Sequence, residues 1–214
     1  MNRFTVKQIF QFTGLVCGGL AVVIQFCLMM ATAAEKELSY FGETIRFFSY
    51  MTILTNILVA LCFASFLYFK DSPMGKFFAR PIVQVALFVY IFIVGATYHI
   101  VLAQMWTPTG LQFVVDLLLH TIVPIVYCLY WIIMAQKEHQ SLTNVLVILL
   151  YPLGYFILIL LKGLITGTYP YPFIDVSMIG YGMTFVNGLL LLVAYGALGF
   201  LMITLNNNVF HNEH

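Results

Sequence analysis

The chain has 214 residues, of which 62% are apolar and 8% charged, with 9 basic and 8 acidic side chains. A soluble domain is about one-quarter charged, so this composition excludes a soluble fold, and its apolar content excludes disorder. The formal net charge of +1 leaves no electrostatic basis for nucleic-acid binding. What remains is an integral membrane protein.

A helical span takes roughly 20 apolar residues. Six such runs are predicted in chain order, at about Ile9–Ala31, Phe47–Phe69, Ile82–Ala103, Phe113–Met134, Leu142–Ile165 and Met178–Leu205. They leave no room for a soluble domain, so the expectation is one all-α domain over residues 1–214, a six-transmembrane-helix bundle. Ala31-Thr32-Ala33 imitates a signal-cleavage site, but the run before it is longer than a signal h-region of about 7–15 residues and is read as a retained span. Cys17, Cys27, Cys62 and Cys128 all fall within apolar runs and read as small buried hydrophobes, not as disulfides. Gly14-xxx-Gly18 and Gly196–Gly199 are expected to allow close helix packing inside the molecule. The Asn206-Asn207-Asn208 tail is expected to fray.

Basic residues set direction. Arg3, Lys7, Lys70, Lys76, Arg80 and Lys137 share one side, whereas the loops after the third and fifth spans contain no Lys or Arg. Both termini are therefore expected in the cytoplasm, with the protein in the plasma membrane.

Polar side chains inside a bilayer are expensive and informative. Ser49, Thr52 and Asn56 follow an i, i+3, i+7 spacing in the second run, and Asp116 and His120 an i, i+4 spacing in the fourth. Each set is expected to share a helix face. With Gln25, His99, Lys162 and Asn187 they map to the outer half of the bundle, which predicts one polar pocket there. A hydroxyl becomes a nucleophile when a base takes its proton. His120 is the candidate base, Asp116 the group that orients it, and Ser49 or Thr52 the nucleophile. Lys162, Asn56 or a loop N–H would stabilise an oxyanion. After the fifth run, the two Tyr-Pro steps of Thr168-Tyr169-Pro170-Tyr171-Pro172-Phe173 force an extended path and are read as a lid over the pocket, with Tyr171 and Phe173 as substrate contacts.

Arg46-Phe47-Phe48-Ser49-Tyr50-Met51-Thr52-Ile53-Leu54-Thr55-Asn56 resembles the second-span signature of the androgen-induced protein family, which includes the androgen-dependent regulator of tissue factor pathway inhibitor. Leu118-Leu119-His120-Thr121-Ile122-Val123-Pro124 looks like that family's fourth-span histidine motif. Gly154-Tyr155, Thr166-Gly167 and Tyr171-Pro172-Phe173-Ile174-Asp175 are similar to its later motifs. The resemblance implies a six-helix hydrolase of lipid esters, particularly fatty acid esters of hydroxy fatty acids, with a threonine nucleophile, a histidine and no metal or other cofactor. The family histidine carries over to His120. Its threonine falls on Ser49 by direct alignment of the motif, with Thr52 one turn deeper as the other claimant. Lys162 stands where mammalian members have histidines.

Two other readings compete. His99, His120 and Asp116 make a two-histidine, one-carboxylate set for a metal-dependent hydrolase, since His139, His211 and His214 lie on the wrong side. A non-enzymatic protein would use Asp116 and His120 as a proton relay while binding or transporting a lipid or ion.

Overall fold

The structure, a computed structural model, describes residues 5–105, 107–135 and 137–210. Arg3, His211 and His214 lie outside the described residues. Every regular element among the described residues is helical. Six stretches are long and apolar enough to cross a membrane: Val6–Glu35, Met51–Tyr68, Pro81–Leu102, Gly110–Met134, Asn144–Thr166 and Val176–Val209. The chain is an all-α, multi-pass integral membrane protein. Contacts separate two compact units, one within Met1–Gln136 and one within Lys137–His214.

In the first unit, helix α1 (Val6–Glu35) begins at a capping box between Thr5 and Gln8, which satisfies orphan N–H groups at its start. A short α2 (Tyr40–Phe47) precedes α3 (Met51–Tyr68). A one-and-a-half-turn α4 (Pro73–Phe78), capped by Ser72, leads into α5 (Pro81–Thr97). The fourth span comprises α6 (Gly110–Leu117) and α7 (Val123–Met134). Helix α1 packs on α3, α3 on α5, α5 on α7, and α7 back on α1, so four spans close a ring. The seam between α1 and α3 needs small residues. A Cβ on Gly14 would overlap the Phe63 ring, and Gly18 sits against Ala60 and Val123. Ala21, Phe47, Ile53, Val115 and Leu119 form an apolar cluster beside that seam.

The second unit pairs α8 (Asn144–Thr166) with α9 (Val176–Leu205). Gly199 lies against Ile148, and Gly196 against Leu149 and Val145, so the second small-residue spacing also packs internally. Gly180 has φ of 73°, a left-handed value that glycine adopts at low cost, and it bends α9 near its start.

Three expectations are corrected. The second span begins at Met51, four residues after the expected start. Cys27 is exposed, and only Cys62 is fully buried; all four cysteines are free. The 206–208 tail is ordered. Asn206 is 1% exposed and donates to the Glu138 carbonyl at 2.7 Å. The Asn207 amide accepts from the Gln140 N–H at 2.9 Å and donates to the Gln140 carbonyl at 2.7 Å. A side-chain amide offers the same donor–acceptor pair as a peptide, so it clasps the segment that a run of asparagines was expected to leave free.

Candidate functional site

The backbone of the fourth span departs from α geometry where Pro124 follows His120 by four residues. Proline has no N–H to give the His120 carbonyl, and its ring crowds that oxygen. The helix widens into a π-turn over Leu118–Ile122, in which the Val123 N–H reaches back to the Leu118 carbonyl. Such turns are rare and frequent at functional sites. The released His120 carbonyl faces Gly95 on α5, where a Cβ would stand 2.9 Å from it; only glycine permits this approach. The third span has its own π-turn at Tyr98–Leu102, closed by the Ala103 N–H on the Tyr98 carbonyl at 2.8 Å. The two π-turns are tied together by His99 Nε2 and Thr121 Oγ1 at 3.0 Å.

Between them sits a buried run of polar groups. His120 Nδ1 lies 3.1 Å from the Asp116 carbonyl and 3.3 Å from Asp116 Oδ1. Both oxygens accept, so Nδ1 carries the hydrogen, and in neutral imidazole Nε2 then accepts. Its partner is Thr52 Oγ1, at 3.3 Å. Thr52, Asp116 and His120 are 7%, 8% and 9% exposed. The Tyr98 ring lies flat on the His120 ring, with centroids 3.9 Å apart and planes 11° apart, and its hydroxyl faces the Asp116 side chain. Asn56 Nδ2 donates to the Thr52 carbonyl at 2.8 Å and to the Leu119 carbonyl at 3.2 Å, stitching α3 to the second π-turn.

The i, i+4 pairing of Asp116 with His120 thus forms the contact its spacing implied. The i, i+3, i+7 face of Ser49, Thr52 and Asn56 does not form. Ser49 lies in the break between α2 and α3. Its Oγ donates to the Ile45 carbonyl at 2.6 Å, while its N–H turns to Arg46 at 3.0 Å. This side-chain competition for a helix carbonyl ends α2 and directs the Ser49 hydroxyl to its own backbone, whereas Thr52 faces His120. Asn56 does not offer an oxyanion donor, because both hydrogens of its amide are committed. Arg46, on α2, pairs with Glu43 at 3.1 Å. Partial burial pulls its guanidinium pKa down, but hydrogen bonds and charge from Tyr50 and Glu43 more than offset this and raise it.

His99 is exposed and belongs to Thr121, not to the Asp116–His120 pair. No group of three or more His, Cys, Asp or Glu side chains converges among the described residues, so the metal-ligand set expected from His99, His120 and Asp116 is not assembled. Gln25 pairs with Gln112, which donates to it at 2.7 Å. Lys162, Tyr171, Phe173 and Asn187 belong to the second unit. There Lys162 Nζ donates to Thr168 at its carbonyl (3.0 Å) and its hydroxyl (2.9 Å). Tyr171 and Phe173 stack at 5.1 Å, and Asn187 holds the Phe173 carbonyl at 2.8 Å.

Sequence reasoning passed over Tyr98 and Gly95. Their i, i+3 spacing puts them on one face of the third span, and that spacing was the available signal.

The helical spans and this buried group define a multi-pass membrane protein with a hydroxyl–imidazole–carboxylate run inside the bundle of its first unit. Comparison of the chain with protein-family models, with curated proteins and with solved structures finds no match.

Proposed function

We propose that the protein is a plasma-membrane lipid esterase that hydrolyses fatty-acid esters, with Thr52 as nucleophile, His120 as base and Asp116 as the orienting carboxylate. The observation that carries this reading is the continuous run from Thr52 Oγ1 through both nitrogens of His120 to Asp116. In the reaction, His120 Nε2 takes the Thr52 proton as Oγ attacks the acyl carbonyl. The ion pair with Asp116 stabilises the imidazolium, which then protonates the leaving alkoxide oxygen. A water, activated by the same imidazole, hydrolyses the threonyl ester and releases the fatty acid. Burial among apolar spans suits a lipid substrate and strengthens the electrostatics. The resemblance to the androgen-induced family supports the same chemistry, with Thr52 in the place of the family threonine that direct alignment puts on Ser49. Both termini are taken as cytoplasmic, which puts this run in the outer half of the membrane.

Purified protein in lipid nanodiscs is expected to release fatty acid from an ester of a hydroxy fatty acid. Thr52→Ala and His120→Ala should abolish this, and Ser49→Ala should not. Full activity in both of the first two variants would overturn the mechanism. For orientation, a Cys at position 208 in a cysteine-free background should resist an impermeant thiol reagent added from outside.

A further inference from the structure

Contacts in the plane of the ring do not fix a histidine. The Asp116 carbonyl and Oδ1 both act on Nδ1, and only the 3.3 Å contact of Nε2 with Thr52 Oγ1 opposes a swing of the imidazole about Nδ1. An out-of-plane swing carries Nε2 away from Thr52 Oγ1. Something must bear on the face of the ring, and in this molecule that is Tyr98. Its ring lies 3.9 Å from the imidazole, centroid to centroid, and almost parallel to it, from a different helix, while its hydroxyl faces the Asp116 side chain. Tyr98 therefore bears on both members of the Asp116–His120 pair by chemically different means.

The local backbone brings it there. Gly95 lets α5 approach the His120 carbonyl, and Tyr98 follows three residues later on the same face. Tyr98 is also the first residue of the π-turn, whose extra residue per turn resets the face presented by everything after it. The next residue, His99, is directed to Thr121.

We infer that Tyr98 is a positioning residue for His120, its ring setting the imidazole plane and its hydroxyl holding Asp116 against Nδ1. As applied to ester hydrolysis, the inference rests on the function proposed above. Two consequences follow. With Asp116 held as an acceptor, neutral His120 stays in the Nδ1–H form, the only one that accepts from Thr52. Once Nε2 takes the proton, the imidazolium is a cation lying on the π face of Tyr98, an attraction absent before proton transfer.

The test uses the full chain in lipid nanodiscs, labelled with ¹⁵N,¹³C-histidine, with the His120 signals assigned by their loss in His120→Gln. In the wild type these signals should show the Nδ1–H tautomer and an upfield ring-current shift. Tyr98→Leu should remove the upfield shift and move the Nδ1–H resonance, and should lower kcat by about 10²-fold, the usual cost of a small misplacement, with KM unchanged. Tyr98→Phe keeps the plate and loses the hydroxyl. It should retain the upfield shift, move the Nδ1–H resonance as the Asp116 carboxylate loses a donor, and lower kcat by about tenfold, the scale of one charge-assisted hydrogen bond. Because Tyr98→Phe preserves packing, it serves where Tyr98→Leu does not fold. His120 signals unchanged from wild type in Tyr98→Leu, or in Tyr98→Phe if only that variant folds, would overturn the inference. Wild-type protein without turnover would instead overturn the esterase reading, and the Nδ1–H resonance and ring shift would still decide the role of Tyr98.

Discussion

Two buried polar clusters lie in the first unit, toward opposite ends of the same four spans. The first holds Thr52, Asn56, Tyr98, Asp116 and His120. The second links Gln11 Nε2 to the Tyr130 hydroxyl at 3.3 Å, the Tyr127 hydroxyl to the Gln84 carbonyl at 3.2 Å, and Gln84 Nε2 to the Ala79 carbonyl at 3.0 Å. Apart from the half-buried Tyr98, the polar side chains of both are buried, and each cluster leaves one amide oxygen without a hydrogen-bond partner, Asn56 Oδ1 and Gln84 Oε1. They differ in charge and in backbone. The second is neutral, sits on regular helices and is walled by aromatic contacts such as Phe63 with Tyr130 at 5.1 Å and Phe88 with Trp131 at 5.0 Å. The first contains a histidine bonded to a carboxylate, and two of the three spans that carry it leave α geometry. Neutral interhelical bonds need no distortion, and each contributes about 1 kcal/mol or less. A departure from regular backbone marks a place where local preference has yielded to another requirement. The contrast separates helix glue from a candidate reactive site more sharply than polarity alone does.

Substitutions can break or sharpen that contrast. The largest effect is expected from His120→Ala, which should lower ester turnover by at least about 10³-fold with expression intact. The parallel change in the other cluster, Tyr130→Phe, should leave turnover within about twofold. Asp116→Asn follows, with a loss of about 10²- to 10⁴-fold, because an amide tolerates the wrong imidazole tautomer. Gly95→Ala should come next. Its methyl group must displace the His120 carbonyl, so a drop of about tenfold or more in kcat should accompany a destabilisation of about 1–3 kcal/mol, read by thermal unfolding in nanodiscs. The smallest effect is expected from Gln11→Leu, which should change stability by no more than about 1 kcal/mol and activity not at all. If Gln11→Leu or Tyr130→Phe impaired turnover as much as Asp116→Asn, the distinction between the clusters would fail.

Hydropathy alone located all six spans to within a few residues at most ends, because a bilayer requires apolar runs of a set length and satisfies the backbone within each helix. The Asp116–His120 contact was legible for a related reason: an i, i+4 spacing is a property of one helix. Where the regular helix failed, so did the reading. No glycine or proline marks the break at Phe48–Tyr50, so Ser49 counted as a face-mate of Thr52 until its hydroxyl proved to bond to Ile45. The choice of Thr52 over Ser49, the stacking of Tyr98 on His120, the diversion of His99 to Thr121 and the clasp of Asn207 on Gln140 each join residues distant in sequence or turned by an irregular backbone. Spacing encodes which residues share a face of one helix. Which faces meet depends on the rotation of each helix about its axis, and every residue added in a π-turn or removed at a break shifts that rotation for all that follow. Composition and periodicity therefore determined the class of the protein and its span count, and tertiary packing alone decided which hydroxyl stands beside the histidine.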